Sequence, residues 1–296
     1  MKKGRLKGDK LFNAISYILL TIVLLIVAYP LLFVVIASFS DPEPVSTGQV
    51  WLYPKGFTLE GYKRVLGDPE IITGYLNSIL YTVVGTTINL LVTLPAAYAL
   101  SRKDLKGRNL LMFFFMVTMF ITGGLIPTYI VVNKLHMLNT MWAMVLPTAL
   151  SVYNMIIART FFQNSIPDEL LEVAKMDGCT DVKFFLSIVL PLSKAIIAIL
   201  VLYYGVSHWN SYYDAMVYIS DRSKFPLQLI LRTILTKNQV SGNMIQASVD
   251  LMAQRQYLAE MIKYALIIIS SLPVLVLYPF LQKYFVKGVM LGSVKG

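Results

Sequence analysis

Residues Tyr75–Ser101 read YLNSILYTVVGTTINLLVTLPAAYALS, and Arg102, Lys103, Lys106 and Arg108 follow. No Asp, Glu, Lys or Arg interrupts the run. A bilayer core of about 30 Å takes roughly 20 apolar residues in a helix, so this run predicts a spanning helix closed by a basic loop. Working outward, five further stretches qualify: Ala14–Phe39, Leu110–Val132, Met141–Phe162, Val189–Trp209 and Ile262–Gln282. None contains Asp or Glu. Helices satisfy their own backbone in lipid. A β-barrel would show short alternating segments, and these runs are too long and too uniformly apolar. The predicted fold class is an all-α integral membrane protein with six transmembrane helices.

Composition agrees. Of 296 residues 56% are hydrophobic and 14% are charged, with 26 Lys and Arg against 16 Asp and Glu, for a net charge of +10. A soluble fold needs more polar surface, and disorder needs far fewer apolar residues. Cys179 is the only cysteine, which excludes an internal disulfide. The basic residues flank spans in short clusters, so they read as a topology signal and not as a nucleic-acid footprint. Lys2, Lys3, Arg5, Lys7 and Lys10 precede the first span, Arg102–Arg108 follow the second, and Lys283, Lys287 and Lys295 follow the sixth. Both termini and the loops near residues 105 and 175 are therefore predicted to be cytoplasmic. The first span is too long for a secretory h-region and is expected to stay as an anchor.

Between spans lie two long external segments. Asp41–Gly74 carries Pro42, Pro44, Pro54 and Pro69 and reads as a turn-rich cap. Tyr212–Met261 holds two helical patterns, near Pro226–Leu235 and Met244–Tyr257, which either lie on the membrane surface or pack against span ends. The chain divides into 1–74 (amino terminus, first span and external segment), a five-helix core over 75–282, and a tail over 283–296. Prolines within spans (Pro30, Pro95, Pro127, Pro147, Pro191, Pro273 and Pro279) are tolerated in ordinary packing, and collectively they lean toward a transport bundle.

Chemistry-bearing patterns are scarce. There is no G-x-x-x-x-G-K-[ST] for ATP, no intramembrane carboxylate for a proton relay, and no catalytic Ser/His/Asp or Cys/His arrangement. His136 and His208 lack neighbouring Cys or carboxylate ligands, so no metal site is expected. The chain reads as a transport subunit and not an enzyme.

The loop between spans four and five is more specific. It reads SIPDELLEVAKMDG over Ser165–Gly178. Ser165 is expected to cap a short helix, with Pro167 in its first turn and Gly178 ending it. Five of the 16 acids lie between Asp168 and Asp181, where topology alone would favour basic residues. Glu172, Ala174 and Gly178 fit E-A-A-x-x-x-G with Val173 in place of one Ala, and Ile188-Val189-Leu190-Pro191 completes the ending. This loop, 165–191, resembles the EAA loop of permease subunits in ATP-binding-cassette (ABC) importers, whose core fold is the type I importer permease. Phe120–Tyr129 with its Gly-Gly-Leu-Ile-Pro, Leu138-Asn139-Thr140, Leu146-Pro147, Trp209-Asn210 with Tyr213, and the glycine-rich tail Lys287–Gly296 are similar to the MalG-like carbohydrate permeases. The wording is closest to the LplC/YtcP-like oligosaccharide branch.

The resemblance implies a bacterial inner-membrane protein that forms half of a pore with a second, MalF-like permease. It implies two ABC ATPase subunits that bind ATP and Mg, an extracellular or periplasmic sugar-binding protein, and no cofactor in this chain. It makes Asp168, Glu169, Glu172, Ala174, Asp177, Gly178, Lys287, Gly288 and Gly292 the ATPase-coupling residues. Sugar sites use aromatic platforms and hydrogen-bonding side chains, so Asn77, Tyr153, Asn154, Tyr203, Tyr204, Trp209, Asn210 and Tyr213 are candidates for the substrate path, with Asn89 beside them. The aromatics also suit an interfacial belt, and buried Asn also bonds neighbouring helices. A non-sugar solute such as an amino acid or peptide, or a secondary transporter, stands as the alternative.

Overall fold

Helix α1 (Lys7–Ser38) is apolar over Phe12–Ser38, and between Phe12 and Val35 no described residue is buried within the chain, while Ile36, Ala37 and Ser38 at its end are. A helix apolar all round belongs against lipid or other helices. The computed structural model describes residues 7–240 and 249–292. Lys2, Lys3, Arg5, Lys295 and the first residues of the pattern predicted at Met244–Tyr257 lie outside them.

Two compact units divide the chain: Met1–Asp68 with Thr233–Ser271, and Pro69–Arg232 with Leu272–Gly296. In the first, the segment predicted to be external is more helical than its prolines suggest. Helix α2 (Pro42–Ser46) is capped by Asp41, whose carboxylate accepts from the Glu43 N–H, and α3 (Glu60–Gly67) follows a turn-rich stretch. Phe39 stacks on Phe57 at 5.9 Å, and the Thr58 N–H donates to the Phe39 carbonyl, which closes the loop on the end of α1.

The second unit is organised by α4 (Pro69–Ser101), about 50 Å long at 1.5 Å per residue. Pro69 and Glu70 suit a helix start. Its buried residues include Ile71, Gly74, Ser78, Tyr81, Gly85, Asn89, Thr93, Ala97 and Leu100, a stripe at three- and four-residue spacing. Leu76, Leu80, Val83 and Leu91 point outward. Small and polar residues thus face the protein while large aliphatics face out, the arrangement that lipid favours.

The remaining spans are broken. Helices α5 (Arg108–Phe120) and α6 (Leu125–Lys134) bend by 110° at Gly123–Gly124, where Gly124 takes φ +80°. The expected fourth span is α7 (Met141–Val145) and α8 (Val152–Ser165) around an irregular stretch that contains Pro147. Helix α9 (Asp168–Met176) is the loop helix. Next come α10 (Asp181–Phe184), a π-helical turn at Phe185–Val189, and α11 (Leu190–Leu192). An 81° bend at Ser193 leads into α12 (Lys194–Trp209). Continuous helices over Leu110–Val132, Met141–Phe162 and Val189–Trp209 are therefore not what forms, because Gly123–Gly124, Pro147 and Ser193 break them. Helix α13 (Tyr213–Tyr218), a 3₁₀ turn at Arg222–Lys224 and α14 (Leu227–Val240) precede α15 (Val249–Gly292), whose apolar part is Ala259–Pro279.

Contacts fix which way each segment runs past α4. At the start of α4, the Asn77 amide donates to the carbonyls of Ser223 and Phe225 (2.8 and 3.1 Å), and the Tyr81 hydroxyl donates to that of Lys224. Tyr75 meets Trp209 edge-on at 5.5 Å. The Asn139 N–H donates to the Tyr218 carbonyl. Residues 139, 209 and 218–225 are thus grouped at that end. At the opposite end, Arg102 and Lys103 pair with Asp181 and Asp168. The chain therefore traverses the length of α4 through α5–α6, returns through α7–α8, and crosses again through α10–α12.

Candidate functional site

The acidic loop folds as a short amphipathic helix. Pro167 stands at the N-cap of α9 and supplies no side-chain bond; Ser165, expected to cap it, is the last residue of α8. Asp168 and Glu169 occupy the first turn and Lys175 the last, each complementing the helix dipole. Gly178 at φ +72° ends it: its N–H donates to the Lys175 carbonyl, and the Cys179 N–H to that of Ala174. Thr180 then caps α10 by accepting from the Lys183 N–H.

Ala174 is buried in the main apolar cluster, with Leu171 packed against it. The other face is outward. Leu170, Val173 and Met176 are 40%, 59% and 87% exposed, at three-residue spacing, with Glu169, Glu172 and Asp177 exposed beside them. Val173, the departure from the motif, therefore lies on the outward ridge and not in the core. The reading of the sequence missed this ridge. The i, i+3, i+6 spacing of Leu170, Val173 and Met176 was the signal for it. Helix α15 continues through Lys287 and Gly288 to Gly292; the surroundings of those side chains lie outside the described residues.

A second cluster sits where α7–α8 is broken. Residues 146–151 leave backbone groups without helical partners, and neighbouring helices supply them. The fully buried Asn89 on α4 donates its amide to the Thr148 carbonyl (2.7 Å). The Ser151 N–H donates to the Tyr204 hydroxyl, which is also bonded to Thr93 (2.7 Å). With its nitrogen on Thr148, Asn89 presents its oxygen to His208 Nε2 at 2.7 Å, so that nitrogen carries the proton. The imidazole lies directly on Gly85.

His208 also lines a cavity of about 120 Å³, together with Thr148, Ser207, Asn210, Ser211, Tyr212, Tyr213 and Asp214. Of the predicted path residues, Asn210 and Tyr213 line this cavity, while Tyr204 is turned to the broken helix. Asn154 is buried on α8, and Tyr153 and Tyr203 are 57% and 44% exposed. Trp209 is buried against Tyr75, and Asn77 ties the 223–225 turn to α4. His208, Thr148 and Asp214 were not singled out as path residues. Thr148 enters through its backbone carbonyl and the cavity through the fold, neither of which composition reports. No group of His, Cys, Asp and Glu suited to a metal ion occurs among the described residues.

Broken apolar helices around a buried polar seam, with an exposed acidic helix at one end, define a membrane permease component. The chain belongs to the family of binding-protein-dependent transport system inner membrane components, whose description matches residues 71–291. It is a multi-pass protein of the bacterial cytoplasmic membrane with the ABC importer permease fold. It is 40% identical over 290 residues to Protein LplC of Bacillus subtilis (strain 168), covering 98% of this chain and 97% of that one. It is 41% identical over 289 residues to the polygalacturonan/rhamnogalacturonan transport system permease protein YtcP of the same organism, covering 97% and 99%. Among solved structures, a chain of a bacterial ABC transporter involved in the import of the acidic polysaccharide alginate is 31% identical, with a TM-score of 0.84 over 96% of this chain and 100% of that one.

Proposed function

We propose that this chain is the permease subunit of an ATP-driven importer for oligosaccharides. It forms half of the pore with a second permease and is delivered substrate by an external binding protein. It crosses the membrane six times, with both termini and the α9 loop in the cytoplasm. Two ATPase subunits, which hold ATP and Mg, drive it through α9. The names of YtcP and of the alginate transporter support a carbohydrate cargo.

The observation that carries the coupling reading is the outward ridge of Leu170, Val173 and Met176 flanked by Glu169, Glu172 and Asp177. An apolar ridge on a nine-residue helix, held to the bundle by Ala174, suits a groove in a partner lined by basic and donor groups. ATP-driven closure of the ATPases then moves α9, and the movement opens the cavity outward; hydrolysis resets it. Around that cavity, Asn210, Tyr213 and His208 offer hydroxyl-binding groups. The predicted tail contacts of Lys287, Gly288 and Gly292 with the ATPases belong to the same proposal.

The test is Glu172→Lys in the assembled transporter, reconstituted in vesicles. Membrane insertion should be normal, while ATPase activity stimulated by loaded binding protein should be lost. Unchanged stimulated activity would overturn the assignment of α9.

A further inference from the structure

The residues after α4 reach α9 and α10 at three places. They run Arg102-Lys103-Asp104-Leu105. Lys103 Nζ lies 2.6 Å from Asp168, the first residue of α9. Asp104 lies 3.8 Å from Lys175, in the last turn of α9. Arg102 Nη1 lies 3.5 Å from Asp181, the first residue of α10. Three consecutive residues thus hold the start of one helix, its end, and the start of the next.

Arg102 is the anchor. Its side chain is only 13% exposed, and its guanidinium holds both oxygens of Asp104, with Nε to Oδ1 at 2.8 Å. It also donates to the Tyr98 hydroxyl at 3.0 Å. Tyr98 in turn stacks on Phe185, the first residue of the π-helical turn, with ring centroids 5.0 Å apart. Arg108 donates to the Arg102 carbonyl, and Leu105 packs against the same apolar cluster as Leu171. A planar, forked guanidinium holds a carboxylate in a fixed orientation in a way that an ammonium does not.

By chain connectivity α9 is linked only to α8 and α10. The 102–104 turn adds a link to α4, the helix that carries Asn89, Thr93 and Gly85 at the broken span. We propose that Arg102, Lys103 and Asp104 are positioning residues that transmit movement of α9 into α4. The inference rests on the reading of α9 as the coupling helix. An isolated surface ion pair contributes little; what distinguishes this set is that one rigid turn grips both ends of α9 through an arginine that is itself largely buried.

The test uses the whole reconstituted transporter and reads solute moved per ATP hydrolysed, with copurification of the ATPases as the measure of assembly. Lys103→Gln and Asp168→Asn should each lower the ratio by about threefold, the scale of one such pair, and Lys103→Gln, at an exposed position outside the residues assigned to ATPase contact, should copurify normally. Lys103→Asp combined with Asp168→Lys should recover at least half of the loss. Arg102→Lys should stay defective because the charge remains and the fork does not. A wild-type ratio in both single variants, or a swap no better than Lys103→Asp alone, overturns the inference. Glu172→Lys is run alongside. If it uncouples while the turn variants behave as wild type, only the α4 link fails; if it also leaves stimulated activity intact, the assignment of α9 fails first.

Discussion

Asn89 is wholly buried among helices, and its amide survives there because both of its polar atoms are used. Asn89→Leu would keep the volume and strand two partners, the Thr148 carbonyl and the Nε2 proton of His208. A buried polar group left without a partner costs about 1–3 kcal/mol, so the thermal midpoint in detergent should fall. Gly85 offers a complementary change. A Cβ there would sit 2.5 Å from His208 Nε2, so Gly85→Ala should destabilise by about 1–3 kcal/mol through overpacking. Adding His208→Ala should recover part of that loss; additive losses would mean that the two residues do not meet.

Asp104 gives a pH-dependent case. The hydrogen bonds from Arg102 hold its carboxyl down at about 2. A depressed carboxylate contributes stability above its unfolded value of about 3.9, and the contribution disappears as pH falls through the folded value. The stability difference between the parent chain and Asp104→Asn should therefore be constant from pH 8 to 5 and should shrink below about pH 4. A difference that varies between pH 8 and 5 would assign the dependence to another group.

Helix by helix, the apolar runs were legible because lipid enforces them, and the breaks were not. Pro147 flagged a disturbance, but the stretch 146–151 can stay irregular because Asn89 donates to the freed Thr148 carbonyl and Tyr204 accepts from the freed Ser151 N–H, both from other helices. That compensation depends on contacts distant in sequence, which periodicity within a run cannot report. Tyr204→Phe removes the hydroxyl that binds Thr93 and accepts from the Ser151 N–H. It should raise amide hydrogen exchange at 148–152 while leaving α8 beyond Met155 protected. The end of α9 was legible in Gly178 alone, since a left-handed residue is needed there. No atom lies within 4 Å of a Cβ at Gly178, so Gly178→Val should cost backbone strain of about 1–2 kcal/mol and no packing. Gly178→Asn should cost less, measured as transport in cells. The start of α9 was misjudged by sequence because Ser165 is a good cap residue that α8 absorbs as its last residue.

The disposition of segments along α4 bears on how the whole chain sits in the bilayer. Helices α5 and α6 are bent so sharply that their length alone fits a loop that dips in and returns. Their end-to-end reach is about 20 Å at 1.5 Å per residue, short of the roughly 30 Å core. The contacts favour the proposed crossing. Asn139 is bonded to Tyr218 and Asp221, and Asn77 near the start of α4 is bonded to Ser223 and Phe225, whereas Arg108 sits beside Arg102 at the other end. The chain therefore passes from one end of α4 to the other between residues 108 and 139, as the proposed six crossings require. Single cysteines at Lys106, His136, Met176 and Ser220, each exposed, in a Cys179→Ser background, convert this into a measurement. A charged maleimide should label positions 106 and 176 from one side only, and positions 136 and 220 from the other. In the orientation proposed from the clusters of Lys and Arg, the first side is the cytoplasm. Labelling of 136 from the same side as 106 would make α5–α6 re-entrant and leave an odd number of crossings. The two termini would then lie on opposite sides of the membrane.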